Sequence, residues 1–193
     1  QRAIDNGQFD KPKAYLEKCK SGLMRMVRII GELLEFSRGR YLDFEYAPVE
    51  RIVEESVKAM ETKSENVTIE TVKNACGIEN RFRGDNLFQV FCNLIKNAVD
   101  AMEGAGKLTI TVCFRQNEIV VEFKDTGPGF PAEYSTDIFE PFFTTKENGE
   151  GTGLGLAICK DIVEKYKGRI EAVNSPEGGS IFTVFLPADA EKE

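Results

Sequence analysis

The sequence of 193 residues contains no histidine, no long apolar run and no excess of basic residues, and each absence excludes a class of protein. Because histidine is missing, the five cysteines cannot be completed to a Cys–His zinc site. The apolar runs are far shorter than the roughly 20 residues that cross a bilayer, so we expect no membrane contact by this chain. The net charge of −7, with basic and acidic residues interspersed, argues against nucleic-acid binding.

The composition is that of a folded globular protein. Apolar residues make up 41% and charged residues 30%, without low-complexity tracts. The cysteines are odd in number and widely spaced, which favours reduced thiols and a cytoplasmic location. The chain begins with Gln1 and not with methionine, so we expect it to be part of a longer protein, which can itself be membrane-anchored.

The first 42 residues carry the pattern of a long helix that packs against another helix. Apolar side chains recur at alternating spacings of three and four residues, as in a coiled-coil seam. They are Leu16, Cys19, Leu23, Met26, Ile30 and Leu33. We predict a helix over about residues 11–38, a domain boundary near Leu42, and a globular domain over residues 43–193. The alternative is that this helix packs on its own domain.

Residues 43–193 alternate between strand and helix patterns, which predicts an α+β domain with a mixed sheet and helices on one face. The predicted strands cover residues 41–49, 67–72, 108–114, 118–124, 169–173 and 180–186. Helices are predicted over residues 85–102 and 154–166, and an amphipathic helix carries Ile52, Val53, Val57 and Met60. Between residues 130 and 151 lies a segment rich in glycine, proline and charge.

Two asparagines, Asn93 and Asn97, lie four residues apart on the predicted helix 85–102 and therefore share one helix face. Amide oxygens are hard ligands that suit Mg²⁺, which usually bridges a protein to the phosphates of a substrate. Asn97 is the better candidate for the metal ligand. Taken alone, such a pair more often faces solvent.

A predicted strand ends next to Asp125, where the sequence continues as Thr126-Gly127-Pro128-Gly129. The two glycines allow a sharp turn and a close approach of the backbone to a flat ligand. A carboxylate here can accept a hydrogen bond from the exocyclic amine of adenine, whereas guanine presents a carbonyl oxygen. The site should therefore prefer ATP to GTP. A plain turn at the end of a strand is the alternative.

A glycine-rich loop precedes the predicted helix 154–166, so that free N–H groups and the positive end of the helix dipole meet at one point. No lysine follows the glycines, so this is not a Walker loop. The candidate phosphate-binding residues are Gly151, Thr152, Gly153, Leu154, Gly155 and Leu156. Their order after Asn93, Asn97 and Asp125 makes an ATP site the most specific interpretation.

The segment before this loop, with the sequence FEPFFTTK over residues 139–146, has the composition of a lid. Its phenylalanines are expected to be core or hinge anchors, and the flanking glycines give it freedom to close over a nucleotide. Lys146 can then reach the terminal phosphates as a catalytic and binding residue. A solvated surface lysine is the alternative.

These motifs resemble the sequence boxes of the ATP-binding catalytic domain of sensor histidine kinases, within the wider ATPase group that includes gyrase, Hsp90 and MutL. Residues 93–100 are similar to the N box, 125–129 to the G1 box, 139–143 to the F box and 151–156 to the G2 box. The resemblance covers nearly the whole chain. The sequences NAVDAM over residues 97–102 and FFTTK over residues 142–146 look most like the nitrogen-regulation type.

The resemblance implies a two-layer α/β sandwich of the Bergerat type, with ATP between the lid and the helix that bears Asn97, and Mg²⁺ at Asn97. It also implies that residues 1–42 are an incomplete dimerisation and phosphotransfer arm, in which the helix predicted over residues 11–38 is the second helix of a hairpin. The first helix of that hairpin carries the phosphorylated histidine and lies outside this sequence. A homodimer through that hairpin and a response-regulator receiver domain are the implied partners. Many relatives have a basic residue where this chain has Asp100, so no phosphate contact is assigned to it.

The amide side chain of Asn93 indicates which reaction the domain favours. ATPases of the wider group carry glutamate at this position, which activates water, whereas an amide has no useful basicity. Phosphoryl transfer from ATP to a histidine is therefore favoured over hydrolysis, with placement and electrostatics supplied by this domain. A non-catalytic ATP-binding regulatory module and a serine kinase of the anti-sigma type are the alternatives. Asp125 is expected to face ligand rather than core, so Asp125→Asn should weaken ATP binding more than folding.

Overall fold

The computed structural model describes residues 46–61, 66–74, 81–145 and 151–188, together with the isolated residues 15, 22 and 26. Those three isolated residues are helical, but the rest of the predicted helix over residues 11–38 lies outside the described residues. The boundary near Leu42 and Lys146 also lie outside them. The division into residues 1–42 and 43–193 therefore stays a prediction.

The described part contains three α-helices and seven strands. In chain order they are β1 (Ala47–Pro48), α1 (Val49–Glu61), β2 (Asn66–Asn74), β3 (Arg81–Phe82), α2 (Gly84–Ala101), β4 (Ala105–Arg115), β5 (Glu118–Asp125), α3 (Gly155–Lys165), β6 (Arg169–Asn174) and β7 (Ser180–Pro187). Two single 3₁₀ turns, Ala132–Tyr134 and Asp137–Phe139, lie between β5 and α3. Within the described ranges, none of the helices combines the length and apolar character that a bilayer span requires.

Five strands form one sheet in the order β2-β4-β5-β7-β6. The pair β2–β4 is parallel and the other three pairs are antiparallel, so the predicted mixed sheet is confirmed. The short antiparallel pair β1–β3 was not predicted. Of the predicted strand over residues 41–49, residues 41–45 lie outside the described residues. Ala47 and Pro48 form β1, whereas Tyr46 is not in a strand and Val49 begins α1.

The core forms because alternate residues of each strand face the helices. Leu108, Ile110 and Val112 of β4 are buried, while the intervening threonines are only partly buried. On α2 the apolar residues recur at helical spacing, and the fully enclosed Phe91 packs 5.6 Å from the ring of Phe123 on β5. All three helices contribute to this one core, which confirms a helical layer on a sheet.

The opposite sheet face carries charge. The Arg169 guanidinium lies 3.7 Å from the centre of the Phe185 ring and binds Glu118 and Glu171, and Lys107 pairs with Glu70 at 2.9 Å. A groove of about 590 Å³ on this face is lined by Arg115, Gln116, Glu118, Val120, Glu122, Arg169, Thr183 and Phe185. None of the predicted site residues lines this groove, which lies on the other side of the sheet from the helices.

Candidate nucleotide site

Asp125 is the last residue of β5 and is only 2% exposed. Its Oδ1 atom accepts hydrogen bonds from the backbone N–H groups of Gly127, at 2.8 Å, and Ser180, at 3.1 Å. Its Oδ2 atom accepts a short hydrogen bond from the Ser180 hydroxyl. Three donors of the chain therefore fix the carboxyl group, which gives Asp125 a part in the fold. The expectation that Asp125→Asn weakens ATP binding more than folding stays a prediction.

The turn after Asp125 packs against the end of α2. A Cβ atom on Gly127 would lie 3.0 Å from Oδ1 of Asp125, which is a tight contact, and in ordinary van der Waals contact with the Ala101 carbonyl at 3.4 Å. Gly129 has a φ of +74°, and a Cβ there would lie 2.6 Å from Oδ1 of Asn174. The sharp turn predicted from these two glycines is present.

Asn93 and Asn97 both lie on α2 and are both half-buried. Asn97 stands one helical turn before Ala101, the residue that Gly127 approaches. The Asn93 amide Nδ2 lies 3.5 Å from the Gly155 carbonyl, at the first residue of α3. The two asparagines thus lie between the Asp125 turn and the start of α3.

Cys159 lies behind Asn93 and is completely buried. Burial raises the pKa of the Cys159 thiol to about 12, against the opposing effect of a hydrogen bond from the Asn93 side chain. The thiol Sγ donates weakly to the Val90 carbonyl at 3.8 Å. Cys159 therefore joins α2 to α3 directly beneath the candidate site.

The glycine-rich loop leads into α3 as predicted. Thr152 is buried and its Oγ1 accepts the N–H of Leu154 at 3.3 Å. The N-cap residue of α3, Leu154, makes no side-chain capping hydrogen bond to the first N–H groups of this helix. Gly153 has a φ of +70°, and a Cβ there would lie 2.4 Å from the Phe142 carbonyl carbon.

The segment between the Asp125 turn and the glycine loop packs on the sheet edge in its first part. Phe139 is buried and lies 6.4 Å from the Phe182 ring, which fits its predicted role as a core anchor. Phe142 is different, because it is 61% exposed and has a φ of +69°. Its N–H donates to the Gly153 carbonyl at 2.9 Å, which holds this strained residue against the glycine loop.

Two contacts join parts of the predicted site: Asn93 of α2 lies at the first residue of α3, and the Asp125 turn lies against Ala101 at the end of α2. The binding roles of the predicted site residues stay predictions. Sequence reasoning missed Asn174, Gly179 and Ser180, which hold this turn from β6 and β7. A Cβ on Gly179 would lie 2.0 Å from the Asp125 carbonyl oxygen. The two glycines directly before Ser180 indicate that two backbone segments come close together here. The sequence does not indicate that the second segment is the one at Asp125.

Residues 82–190 match the family described as histidine kinase-, DNA gyrase B-, and HSP90-like ATPase. Sporulation kinase C of Bacillus subtilis (strain 168) is 31% identical over 187 residues, which are 95% of this chain and 43% of that protein. The sensor histidine kinase ZraS of Klebsiella oxytoca is 33% identical over 173 residues, 88% of this chain and 37% of that protein. The chain therefore spans less than half the length of these two relatives.

Solved structures give the same result. A nucleotide-free catalytic domain of histidine kinase ThkA superposes with a TM-score of 0.67 at 30% identity, over 74% of this chain and 94% of that one. ThkA in complex with the response regulator TrrA gives a TM-score of 0.67 at 28% identity, over 100% of this chain and 55% of that one.

The fold and the site thus define a protein of the histidine kinase type, as the sequence boxes predict. The chain belongs to the histidine kinase-, DNA gyrase B- and HSP90-like ATPase family, and it contains the ATP-binding catalytic domain of a sensor histidine kinase. The nitrogen-regulation subtype stays a prediction.

Proposed function

We propose that this domain places the γ-phosphate of ATP for transfer to a histidine outside the present sequence. The proposal rests chiefly on the contact between Asn93 of α2 and the uncapped start of α3, together with the anchored Asp125 turn that lies against the end of the same helix α2. The sequence itself contains no histidine, so the acceptor must lie on another segment or another chain. The kinase names of its relatives support the reaction class.

Asp125 is proposed to select adenine. Its carboxyl group is held by two backbone N–H groups and one hydroxyl, which leaves acceptor capacity on Oδ2. A carboxylate already fixed by the chain can receive the exocyclic amine of adenine without being reoriented. Gly127 and Gly129 complete the binding turn because neither presents a side chain to the base.

Asn97 is proposed as the protein ligand of Mg²⁺. Its amide makes no hydrogen bond to another described residue, and within those residues no cluster of three acidic or cysteine side chains could hold a metal ion alone. A single amide ligand fits a Mg²⁺ ion that is shared with substrate phosphates and keeps several waters. When bound, the ion would neutralise charge on the phosphates.

The start of α3 and the loop before it are proposed to bind the phosphates. N–H groups at an uncapped helix terminus favour anions, and the candidates are Gly151, Thr152, Gly153, Leu154, Gly155 and Leu156. Lys146 is proposed to add positive charge at the terminal phosphates as a catalytic residue. Its position lies outside the described residues, so this role rests on the sequence alone.

Asn93 is proposed to position the reacting groups without accepting a proton. Its amide donates towards Gly155 and contacts Cys159, which orients it across the α2–α3 junction. In the transfer step an imidazole nitrogen of the acceptor attacks the γ-phosphorus, the bond to the β,γ-bridging oxygen breaks, and ADP leaves with that electron pair. No water needs to be activated, which suits an amide at this position.

The partners are proposed from the relatives. A response-regulator receiver domain would take the phosphoryl group on an aspartate, as supported by the complex of ThkA with its response regulator. Homodimerisation through the helix predicted over residues 11–38 and the hairpin helix that would pair with it is the second part of this proposal. Mg²⁺ and ATP are the ligands, and a cytoplasmic location follows if the cysteines are reduced.

The test is to incubate the longer parent protein with γ-labelled ATP and Mg²⁺. Label that is stable to alkali and labile to acid, and that maps to a histidine, is the expected result. Asn97→Asp and Asn97→Ala should abolish it, whereas Asn66→Ala, an exposed asparagine at the start of β2, should not. ATP binding without any label would favour the regulatory module, and label on serine would favour the anti-sigma type of kinase.

A further inference from the structure

The hairpin of β6 and β7 holds the Asp125 turn at both of its ends. Asn174, the last residue of β6, and Ser180, the first residue of β7, are register partners on the final rung of this hairpin. The Ser180 side contacts Asp125, where the turn begins, and the Asn174 side contacts Phe130, where the turn has just ended. One rung thus reaches both flanks of the proposed adenine-binding turn.

The Asn174 amide pairs with both backbone groups of Phe130. Its Oδ1 atom accepts the Phe130 N–H at 2.9 Å, and its Nδ2 atom donates to the Phe130 carbonyl at 2.6 Å. A neighbouring strand exchanges the same two bonds with an opposite residue, so the side chain substitutes for a strand that is not there. Gly129 is part of this contact, because only a glycine fits against Oδ1 of Asn174.

The loop that joins β6 to β7 is itself well ordered by internal bonds. The N–H of Ser175 donates to the Gly179 carbonyl at 2.9 Å, and the N–H of Gly178 donates to the Ser175 carbonyl at 3.0 Å. Glu177 pairs with Lys124 of β5 at 2.6 Å, next to Asp125. The pair Asn174–Ser180 is therefore held by hydrogen bonds within the β6–β7 loop and by an ion pair from this loop to β5.

We propose that Asn174 is a positioning residue for nucleotide binding, which fixes Phe130 so that the Asp125–Gly129 turn is already in its binding conformation before ATP arrives. This inference rests on the proposed function, because it assumes that the turn receives the adenine. Without the bonds from Asn174 the turn is free at one end, and ATP binding must order it again. The conformational entropy that is lost then lowers the affinity for ATP. The transfer step occurs at the other end of the nucleotide, and its rate constant at saturating ATP should change little.

The first measurement needs no nucleotide. Hydrogen exchange of the Phe130 amide is followed by NMR in the 193-residue chain, because Asn174 is the acceptor of that N–H. Asn174→Ala should speed exchange at Phe130 by at least about tenfold. Asn66→Ala, which removes an exposed asparagine from the opposite edge of the sheet, should leave it unchanged. Equal exchange in all three proteins would overturn the proposal.

The second measurement is the dissociation constant for ATP, determined by calorimetry in the presence of Mg²⁺. Asn174→Ala should weaken binding about 3- to 10-fold, the range expected for the loss of one to two exposed hydrogen bonds. Asn174→Asp keeps the acceptor but places a carboxylate oxygen against the Phe130 carbonyl, so it should bind no better than the alanine variant. In the parent protein the loss should appear in KM for ATP and not in kcat.

The two measurements separate this inference from the function on which it rests. If the wild-type chain binds no ATP, the proposed function fails, while the exchange rate of Phe130 still decides whether Asn174 fixes the turn. If the wild-type chain binds ATP and Asn174→Ala binds it equally well despite faster exchange, the positioning role is overturned and the ATP site stands. Equal losses in kcat and kcat/KM would also overturn it.

Discussion

Asp125 has two tasks that draw on the same oxygen atoms. Its carboxyl group ties β5 to β7 through Ser180 and ties the turn to itself through Gly127. If the buried Asp125 carboxyl group is replaced, its three hydrogen bonds become weaker or are lost. The folded state is then less stable even without a ligand. The proposed adenine contact is thus made by a group that the fold already needs.

Asp125→Asn is therefore expected to lower the free energy of unfolding by about 1–3 kcal/mol, measured by urea denaturation, because one of the two oxygens that accept the three hydrogen bonds is replaced by an NH₂ donor. Glu122→Gln on the outer face of the same strand is the matched control and should cost less than about 0.5 kcal/mol. A variant as stable as wild type would mean that the carboxyl bonds contribute nothing to the fold.

Cys159 gives the fold a dependence on alkaline pH. Its folded-state pKa is about 12, against an ordinary value of 9.0, so between these values the folded chain binds more protons than the unfolded chain. The stability contributed by the protonated thiol is present below pH 9 and decreases above it. Between pH 8.5 and 10 the wild type should lose about 1 kcal/mol more than Cys159→Ala, measured by urea unfolding at each pH. Parallel pH profiles would contradict this.

At the scale of elements, a backbone hydrogen bond joins the glycine loop to the phenylalanine-rich segment that precedes it. Gly153 and Phe142 both have positive φ, and the Phe142 N–H donates to the Gly153 carbonyl. The Phe142 side chain is 61% exposed, so its burial offsets only a small part of the backbone strain. The contact with Gly153 keeps the segment in register with the start of α3.

Gly153→Ala should weaken ATP binding at least tenfold, measured by calorimetry, because a methyl group there overlaps the Phe142 backbone. Gly178→Ala is the matched control, since Gly178 also has a positive φ, of +96°, but a Cβ there meets nothing within 4 Å. It should lose only about 1 kcal/mol of stability from backbone strain and keep its affinity for ATP. Equal affinities in the two variants would contradict the effect assigned to the overlap with Phe142.

The elements that could be predicted from sequence are those with several periods of an apolar pattern. Helix α2 and strands β4 and β5 have them, and their ends fall within a few residues of the prediction. The pairing of β1 with β3 could not be predicted, because each strand has two residues, too few to show a period. The hold of Asn174 on Phe130 joins residues 44 positions apart, and nothing local in either sequence indicates the other.

At the scale of the whole molecule, nucleotide should stabilise the domain by mass action. ATP with Mg²⁺ at 100 times its dissociation constant should add about 2.7 kcal/mol to the free energy of unfolding, seen as a rise in Tm. GTP at the same concentration should give a much smaller rise, because its carbonyl oxygen faces the acceptor at Asp125. Equal shifts for the two nucleotides would contradict adenine selection by Asp125.

Because Asn174 and Ser180 oppose each other on one rung, the length of the loop between them is fixed. Residues 175–179 separate them, and one residue more or fewer at the end of either strand would turn a side chain to the other sheet face. The turn of Gln116 and Asn117 joins β4 to β5 at the end of β5 opposite Asp125, away from the proposed nucleotide site. A peptide tag inserted there should be tolerated, whereas the same tag between β6 and β7 should uncouple the nucleotide turn from the sheet.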